Sequence, residues 1–370
     1  MVINGKEVYE LCLIPTERCN LRCVYCLVNK DRGHVMSYEV AKEAVDEMLA
    51  VPHVFDYYKV SFMGGEPFLN FPLIRNIYAY IQDTYNKKDV RFEIVTNGTL
   101  FNDEIRRWLL SVGSNVQLVL SADGKRSTHN INRSNSFDKI DFEFVRQLPH
   151  KRINMVITPQ SLPSTLENIL YLQSFGFPVR MFIEEGIRWH PEHLPQFEEV
   201  LMQLLDYYLS HPEIEPCNLL NNSLYLIVDD SVVLGCAQHE YSYSVSADGE
   251  KYACHRCMPF ENYGDLHIPE EFINDLSSAK SVNDSCQNCV ISKLCNSCPA
   301  SIASMKGRPE AATRCQMFKL LYKAQAFFYL NLIIKNPSNP MITQYSKEQN
   351  KKMIHACELI LRQIDPTKAF

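Results

Sequence analysis

Long apolar runs are missing from this sequence. The longest, Ala326-Phe327-Phe328-Tyr329-Leu330, stops at Asn331, far short of the roughly 20 residues a helix needs to cross a bilayer, so no membrane role is expected. Basic charge is also scarce. The formal net charge is -6 and no long Lys/Arg run occurs, which leaves no footprint for nucleic acid. The N-terminus, Met1-Val2-Ile3-Asn4-Gly5-Lys6-Glu7, lacks the apolar core of a signal peptide. In a chain of 370 residues without a secretion signal, fourteen cysteines read as reduced metal ligands rather than as a disulfide framework. The expected compartment is the cytoplasm.

A further absence falls in the cysteine loop near the N-terminus. Cys19, Cys23 and Cys26 stand at C-x3-C-x2-C with no fourth cysteine nearby. Cubane iron–sulfur clusters are usually held by four thiolates, so three imply a cluster with one open iron, and an open metal position is where chemistry happens. Zinc binding and plain burial of reduced thiols are the bland alternatives. Cys12 and Cys357 read as inert core thiols.

The first two hundred residues alternate strand and helix patterns. Strands are expected at 8–14, 57–63, 90–95, 116–120, 153–157 and 179–183, from runs of β-branched and aromatic residues bounded by turn formers. Helices are expected from Ser37 to about Leu49, Leu73 to Tyr85, Asp103 to Leu110 and Thr165 to Ser174. Ser37 serves as a cap, with Val40 where a capping box would place Glu or Gln. Six β/α units with polar or glycine-rich strand ends imply a parallel α/β sheet working at those ends. Later, Phe197–Leu209 reads as a covering helix, a stripe from Met317 to Phe328 as a docked helix, and Lys347–Ile364 as a last helix.

One such strand end is Gly64-Gly65-Glu66-Pro67. Two glycines let the backbone approach a ligand closely, and the carboxylate can accept hydrogen bonds from an ammonium group. Asn97 sits in the turn after the third strand, and either contacts a ligand or bonds its own turn. The cysteine loop, with Tyr25 before its third cysteine, resembles the signature of radical S-adenosylmethionine (SAM) enzymes. That resemblance implies a partial (β/α)6 barrel of TIM type, SAM chelated at the open iron, and reductive cleavage of SAM to a 5′-deoxyadenosyl radical. It further implies that Gly64, Gly65 and Glu66 bind the SAM amino group, and that Ser121 and Arg133 contact its ribose and carboxylate.

Beyond residue 215 the cysteine density rises. Cys236, Gly249 and Cys254 form C-x12-G-x4-C, then Cys286, Cys289, Cys295 and Cys298 form C-x2-C-x5-C-x2-C, with Cys315 last. A pair of zinc sites is the alternative reading. With the N-terminal loop, the pattern resembles the SPASM extension of radical SAM enzymes, although the last pair is spaced C-x2-C where the family has C-x3-C. The resemblance implies a barrel at 1–215, a SPASM domain at 216–320, a helical tail at 321–370, and three [4Fe–4S] clusters in all. Cys236, Cys254 and Cys298 would hold the first auxiliary cluster, with Cys257, Cys217 or a substrate thiolate in fourth place; Cys286, Cys289, Cys295 and Cys315 would hold the second.

Enzymes of this kind act chiefly on peptides. Maturases that make formylglycine in sulfatases have an aspartate after the cysteine matching Cys254. Here His255, a weak catalytic candidate, takes that place, and Tyr252-Ala253-Cys254-His255-Arg256 resembles the YPCHR stretch of maturases that crosslink ribosomal peptides. The expectation is therefore a peptide crosslinking enzyme forming a thioether or carbon–carbon bond. It would need a flavodoxin or ferredoxin reductant, and, because Cys19 lies so near the start, either a separate leader-recognition protein or a leader that docks on the barrel and SPASM surface. A non-enzymatic electron-transfer protein would have no use for Gly64-Gly65-Glu66 or a barrel.

Overall fold

The computed structural model describes residues 2–3, 6–28, 30, 32–53, 55–185, 189–221, 223–229, 242–258, 286, 288–295 and 309–364. Two compact units result, one of Met1–Val156, Glu167–Glu184 and Cys236–Leu276, the other of Ile157–Leu166, Glu185–Gly235 and Ser277–Phe370.

In the first unit the strands are β1 (Val2–Ile3), β2 (Lys6–Leu13), β3 (Tyr57–Phe62), β4 (Val90–Thr96), β5 (Val116–Ser121), β6 (Lys151–Ile157), β7 (Val179–Ile183), β8 (Ser242–Val245) and β9 (Lys251–Tyr252). Their order is β7-β6-β5-β4-β3-β2-β8-β9, with β1 antiparallel to β2. From β2 to β6, neighbouring strands are parallel. All six expected strands are present, in the parallel α/β arrangement of a TIM-like partial barrel. The helices between them are α1 (Tyr38–Leu49), α2 (Phe71–Thr84), α3 (Asp103–Val112), α4 (Arg126–Asn132), α5 (Phe142–Gln147) and α6 (Thr165–Gln173).

The register divides the sheet into two unlike faces. Leu11 aligns with Val60, Val60 with Phe92, and Ile94 with Leu118, and these side chains are essentially inaccessible. Side chains alternate along a strand, so the opposite face carries Glu10, Lys59, Glu93, Gln117 and Arg152. Those polar groups pair with one another: Lys59 Nζ lies 3.0 Å from Glu10 and 3.2 Å from Glu93, and Arg152 Nη2 lies 2.9 Å from Glu93. Helices cover the apolar face because each carries an apolar stripe, as α2 does with Leu73, Ile74, Ile77 and Ile81. Ser37 caps α1 by accepting from Val40 N at 3.2 Å. α2 starts at Phe71 rather than Leu73 because Pro72, in its first turn, has the fixed φ a helix start needs.

β8 and β9 were not among the expected strands. β8 pairs in parallel with β2, and Gly249, at φ +94°, turns the chain into β9. In the second unit, helix Leu194–Ser210 spans the expected covering helix, and helices Pro309–Lys335 and Lys347–Ile364 form the tail. The last matches its expected bounds, burying Met353, Ala356, Cys357, Ile360 and Leu361. Among the described residues, no helix is long and apolar enough to cross a membrane.

Candidate functional site

The cysteine loop leaves β2 and folds back on itself. Thr16 bridges to Val35 in antiparallel fashion, its hydroxyl donates to His34 O at 2.8 Å, and Glu17 N donates to the same carbonyl at 3.0 Å. Lys30 Nζ donates to Leu21 O at 2.7 Å. This frame leaves Cys19, Cys23 and Cys26 half-buried and free of disulfides. Burial pushes the thiols of Cys19 and Cys23 upward from the ordinary cysteine range.

The glycine turn is packed on that loop. Gly65 N donates to Thr16 O at 2.9 Å and Glu66 N to Arg18 O at 2.8 Å. A Cβ on Gly65 would stand 2.1 Å from Arg18 O, and one on Gly64, at φ +115°, would stand 2.5 Å from Ile14 Cγ2. The close neighbour that demands glycine here is thus the backbone of the cysteine loop. Glu66 is buried, and its Oε1 accepts from Thr96 Oγ1 at 2.7 Å and Phe68 N at 3.3 Å, while Oε2 accepts from Asn97 N at 2.8 Å. A carboxylate has about four acceptor positions, so one remains for a further donor. Burial outweighs the three donors and raises the Glu66 carboxyl to about 7.

Asn97 does bond its own turn, its Oδ1 accepting from Thr99 N at 3.0 Å. Its Nδ2 reaches Asn20 Oδ1 at 2.8 Å and faces Cys19 Sγ at 3.9 Å. Ser121 ends β5 half-buried, opposite Asn154.

Asp123, just past the end of β5, is a centre that sequence reasoning missed. It is fully buried, and its carboxylate accepts from Tyr25 Oη at 2.6 Å, Asn132 Nδ2 at 3.2 Å and Val156 N at 3.0 Å. Arg133 Nε lies 3.1 Å from Asp123 Oδ2, close enough for ion pairing though off the line of a hydrogen bond. Arg133 is therefore no surface residue, and it stacks over the Tyr25 ring at 5.3 Å. His129, buried behind them, is lowered to about 4 by burial and then by Arg133. The signal was present in Ser121-Ala122-Asp123-Gly124, a carboxylate just beyond a parallel strand's C-terminal end.

Among the other cysteines, Cys12 and Cys357 are buried as expected of core thiols. Cys254 and Cys257 are buried with their sulfurs 3.7 Å apart, while His255 is half-buried in the turn between them. In the second unit, Cys217 is buried, with backbone donors from Leu219 and Leu220 on its sulfur. There too Cys286, Cys289 and Cys295 all bear electrostatically on Cys315. The loop around Cys289 is gripped by Gln363, which accepts from Val290 N at 2.6 Å and donates to Asn288 O at 2.9 Å. Cys236 and Cys298 lie outside the described residues.

The N-terminal thiols fit a cubane cluster. Sulfur donors suit iron–sulfur centres, and three N–H groups aim at them: Leu21 N at 3.4 Å and Asn97 Nδ2 at 3.9 Å from Cys19 Sγ, and Arg133 Nη1 at 3.9 Å from Cys23 Sγ. Among the described residues no three donors converge on a single ion. A cubane asks for no such convergence, since each thiolate takes a different iron.

Residues 13–183 match the Radical SAM superfamily. An uncharacterized protein of Methanocaldococcus jannaschii is 30% identical over 208 residues, covering 54% of this chain and 70% of its own length. In fold the chain is similar to anSMEcpe, solved with bound AdoMet and the Cp18Cys peptide, with a TM-score of 0.68 at 18% identity over 89% of this chain and 99% of that one. It is also similar to Streptococcus suis SuiB bound to precursor peptide SuiA, with a TM-score of 0.55 at 17% identity over 78% and 71%. With the cysteine loop at the mouth of a parallel sheet and the superfamily match spanning every strand from β3 to β7, the chain belongs to the radical SAM superfamily.

Proposed function

We propose that this enzyme is a peptide maturase that crosslinks a ribosomally made precursor, with a cysteine thioether as its product. Cys19, Cys23 and Cys26 would hold the SAM-binding [4Fe–4S] cluster, which supplies reductive cleavage of SAM. The observation that carries the reading is the gathering of these thiols at the sheet's C-terminal end, beside Glu66, Asn97, Ser121 and the Asp123–Arg133 pair. Glu66 retains an acceptor position for an ammonium group, Gly64 and Gly65 let the turn and loop interlock, and Tyr25 is fixed by Asp123. These residues bind and orient SAM.

The later cysteines support a SPASM-like extension with two auxiliary clusters. Cys286, Cys289, Cys295 and Cys315 would hold one. In the other, held by Cys236, Cys254 and Cys298, the fourth position would fall to Cys257, Cys217 or a substrate thiolate. Peptide substrates are supported by the peptides bound to anSMEcpe and SuiB, whose fold this chain shares. Formylglycine formation is the second reading, favoured by the likeness to anSMEcpe and opposed by His255 in the place of an aspartate. The reductant is of flavodoxin or ferredoxin type.

Two measurements test this. After anaerobic reconstitution, changing Cys19, Cys23 and Cys26 together to alanine removes about a third of the roughly twelve irons that three cubanes hold and abolishes 5′-deoxyadenosine formation; continued SAM cleavage refutes the assignment. With a cysteine-containing precursor from the gene neighbourhood, a thioether product is about 2 Da lighter and one cysteine no longer alkylates. Loss of the two hydrogens with every cysteine still reactive points to a carbon–carbon bond.

A further inference from the structure

Arg133 is 6% exposed and its partner Asp123 0%. Three neutral donors and the Arg133 Nε surround the Asp123 carboxylate, so the stem end of the guanidinium is fixed. The other end is turned to the cysteine loop, with Nη1 3.9 Å from Cys23 Sγ.

The backbone beyond Arg133 is arranged at a cost to hold this aim. Ser134 and Asn135 are consecutive left-handed residues, at φ 56° and 52°, and the only described non-glycine residues with positive φ. That conformation is disfavoured for most L residues, less so for Asn, and such strain collects where surrounding structure over-determines it. Here the determinants are visible. Ser134 Oγ accepts from Arg22 N at 2.8 Å, Asn132 O accepts from Val24 N at 2.9 Å, and Ser136 Oγ donates to Arg133 O at 2.6 Å. The 132–136 segment is therefore laced to both neighbours of Cys23.

Of the donors aimed at the three sulfurs, Arg133 alone among the described residues carries a full charge. Hydrogen bonds to sulfur and local charge are among the terms that set an iron–sulfur cluster's reduction potential, and partners beyond the ligands tune metal sites generally. A cation donating to a thiolate withdraws electron density and favours the reduced cluster.

We propose that Arg133, oriented by Asp123, is a positioning residue for the cluster itself: its guanidinium donates to Cys23 Sγ and makes that cluster easier to reduce. The inference rests on reading Cys19, Cys23 and Cys26 as cluster ligands. It is separable from any contact of Arg133 with SAM, because it predicts an effect when SAM is absent.

The test is an anaerobic redox titration of the reconstituted full chain without SAM, followed by electron paramagnetic resonance. The component to follow is the one that shifts when SAM is added to a parallel sample. The variant is Arg133→Gln with Asp123→Asn, which removes the pair without leaving a lone buried charge. The expected result is retained iron and a one-electron equilibrium shifted at least tenfold toward the oxidised cluster, about 59 mV more negative. Arg133→Lys, which keeps the charge but not the planar fork, shifts in the same direction by less, and serves alone if the double variant loses iron. A potential equal to wild type overturns the proposal, even if SAM affinity falls, since Arg133 then serves SAM only. If the wild type shows no SAM-responsive component, the cysteine reading has failed first.

Discussion

Replacing Gly65 by alanine tests how the site is built with one methyl group. The new Cβ would lie 2.1 Å from Arg18 O and 2.7 Å from the carbonyl carbons of Arg18 and Glu17. All three are backbone atoms, so no side chain can rotate away, and the cysteine loop and glycine turn must separate. Separation breaks Gly65 N to Thr16 O and Glu66 N to Arg18 O, each worth about 1 kcal/mol. Overpacking adds about 1–3 kcal/mol, for a total near 3–5 kcal/mol by these principles. Gly176 is the control: at φ +77° and with nothing within 4 Å of an added Cβ, its alanine variant bears only left-handed strain, about 1–2 kcal/mol. Thermal midpoints of the apo proteins and iron per chain after reconstitution are the assays. Gly65→Ala is expected to melt clearly below Gly176→Ala and to lose iron from the N-terminal loop. Equal midpoints with full iron in both variants would show that the interlock of the two loops does not hold the site.

Glu66 gives a pH prediction. Its carboxyl is raised in the folded state to about 7, so the native chain binds the proton more tightly than the unfolded chain, and this group's contribution to stability falls as pH rises from about 4.5 to about 7. Glu66→Gln removes that slope, so the stability gap between wild type and variant should be wider at pH 5 than at pH 8 by about 3 kcal/mol; a gap independent of pH refutes it. His129, lowered to about 4, works in the opposite sense, because the native chain resists its protonation. Replacing it by a neutral, non-titrating residue should flatten the loss of stability between about pH 6.5 and 4 seen by denaturant titration. Gln363→Met removes both bonds to the loop around Cys289, at about 1 kcal/mol each. It should lower iron at the later cysteines while leaving SAM cleavage intact, and unchanged iron would mean the loop stands without its clamp.

The six central strands were legible because one face of each is apolar and each ends in a recognisable turn. Lys347–Ile364 was legible because its stripe runs unbroken from Met353 to Leu361. β8 was not, because in Ser242-Tyr243-Ser244-Val245 the buried face carries the serines while Tyr243 is only partly buried, and the segment pairs in parallel with β2 far upstream. Asp123 passed for part of a turn because its function depends on Tyr25, Arg133 and Val156, which the sequence keeps apart. For Arg133 the sequence offered a ligand contact by resemblance alone; its burial beside Asp123 was not legible. Glu66 read as an acceptor for one ammonium group. Its hydrogen bonds to Thr96, Asn97 and Phe68 show that it also ties the third strand end to the second.

The pairing of β2 with β8 sets an order of events during synthesis. β2 carries the cysteine loop at its end, yet one of its edges is closed by residues 242–245, more than half the chain downstream. At the usual elongation rate of about 5–20 residues per second, that edge waits roughly 10–45 s after β2 emerges. An open strand edge is a template for pairing with another chain. The nascent protein therefore has its cysteine loop complete well before the strand beneath it is sealed, and slowed translation downstream of β7 should raise its tendency to aggregate.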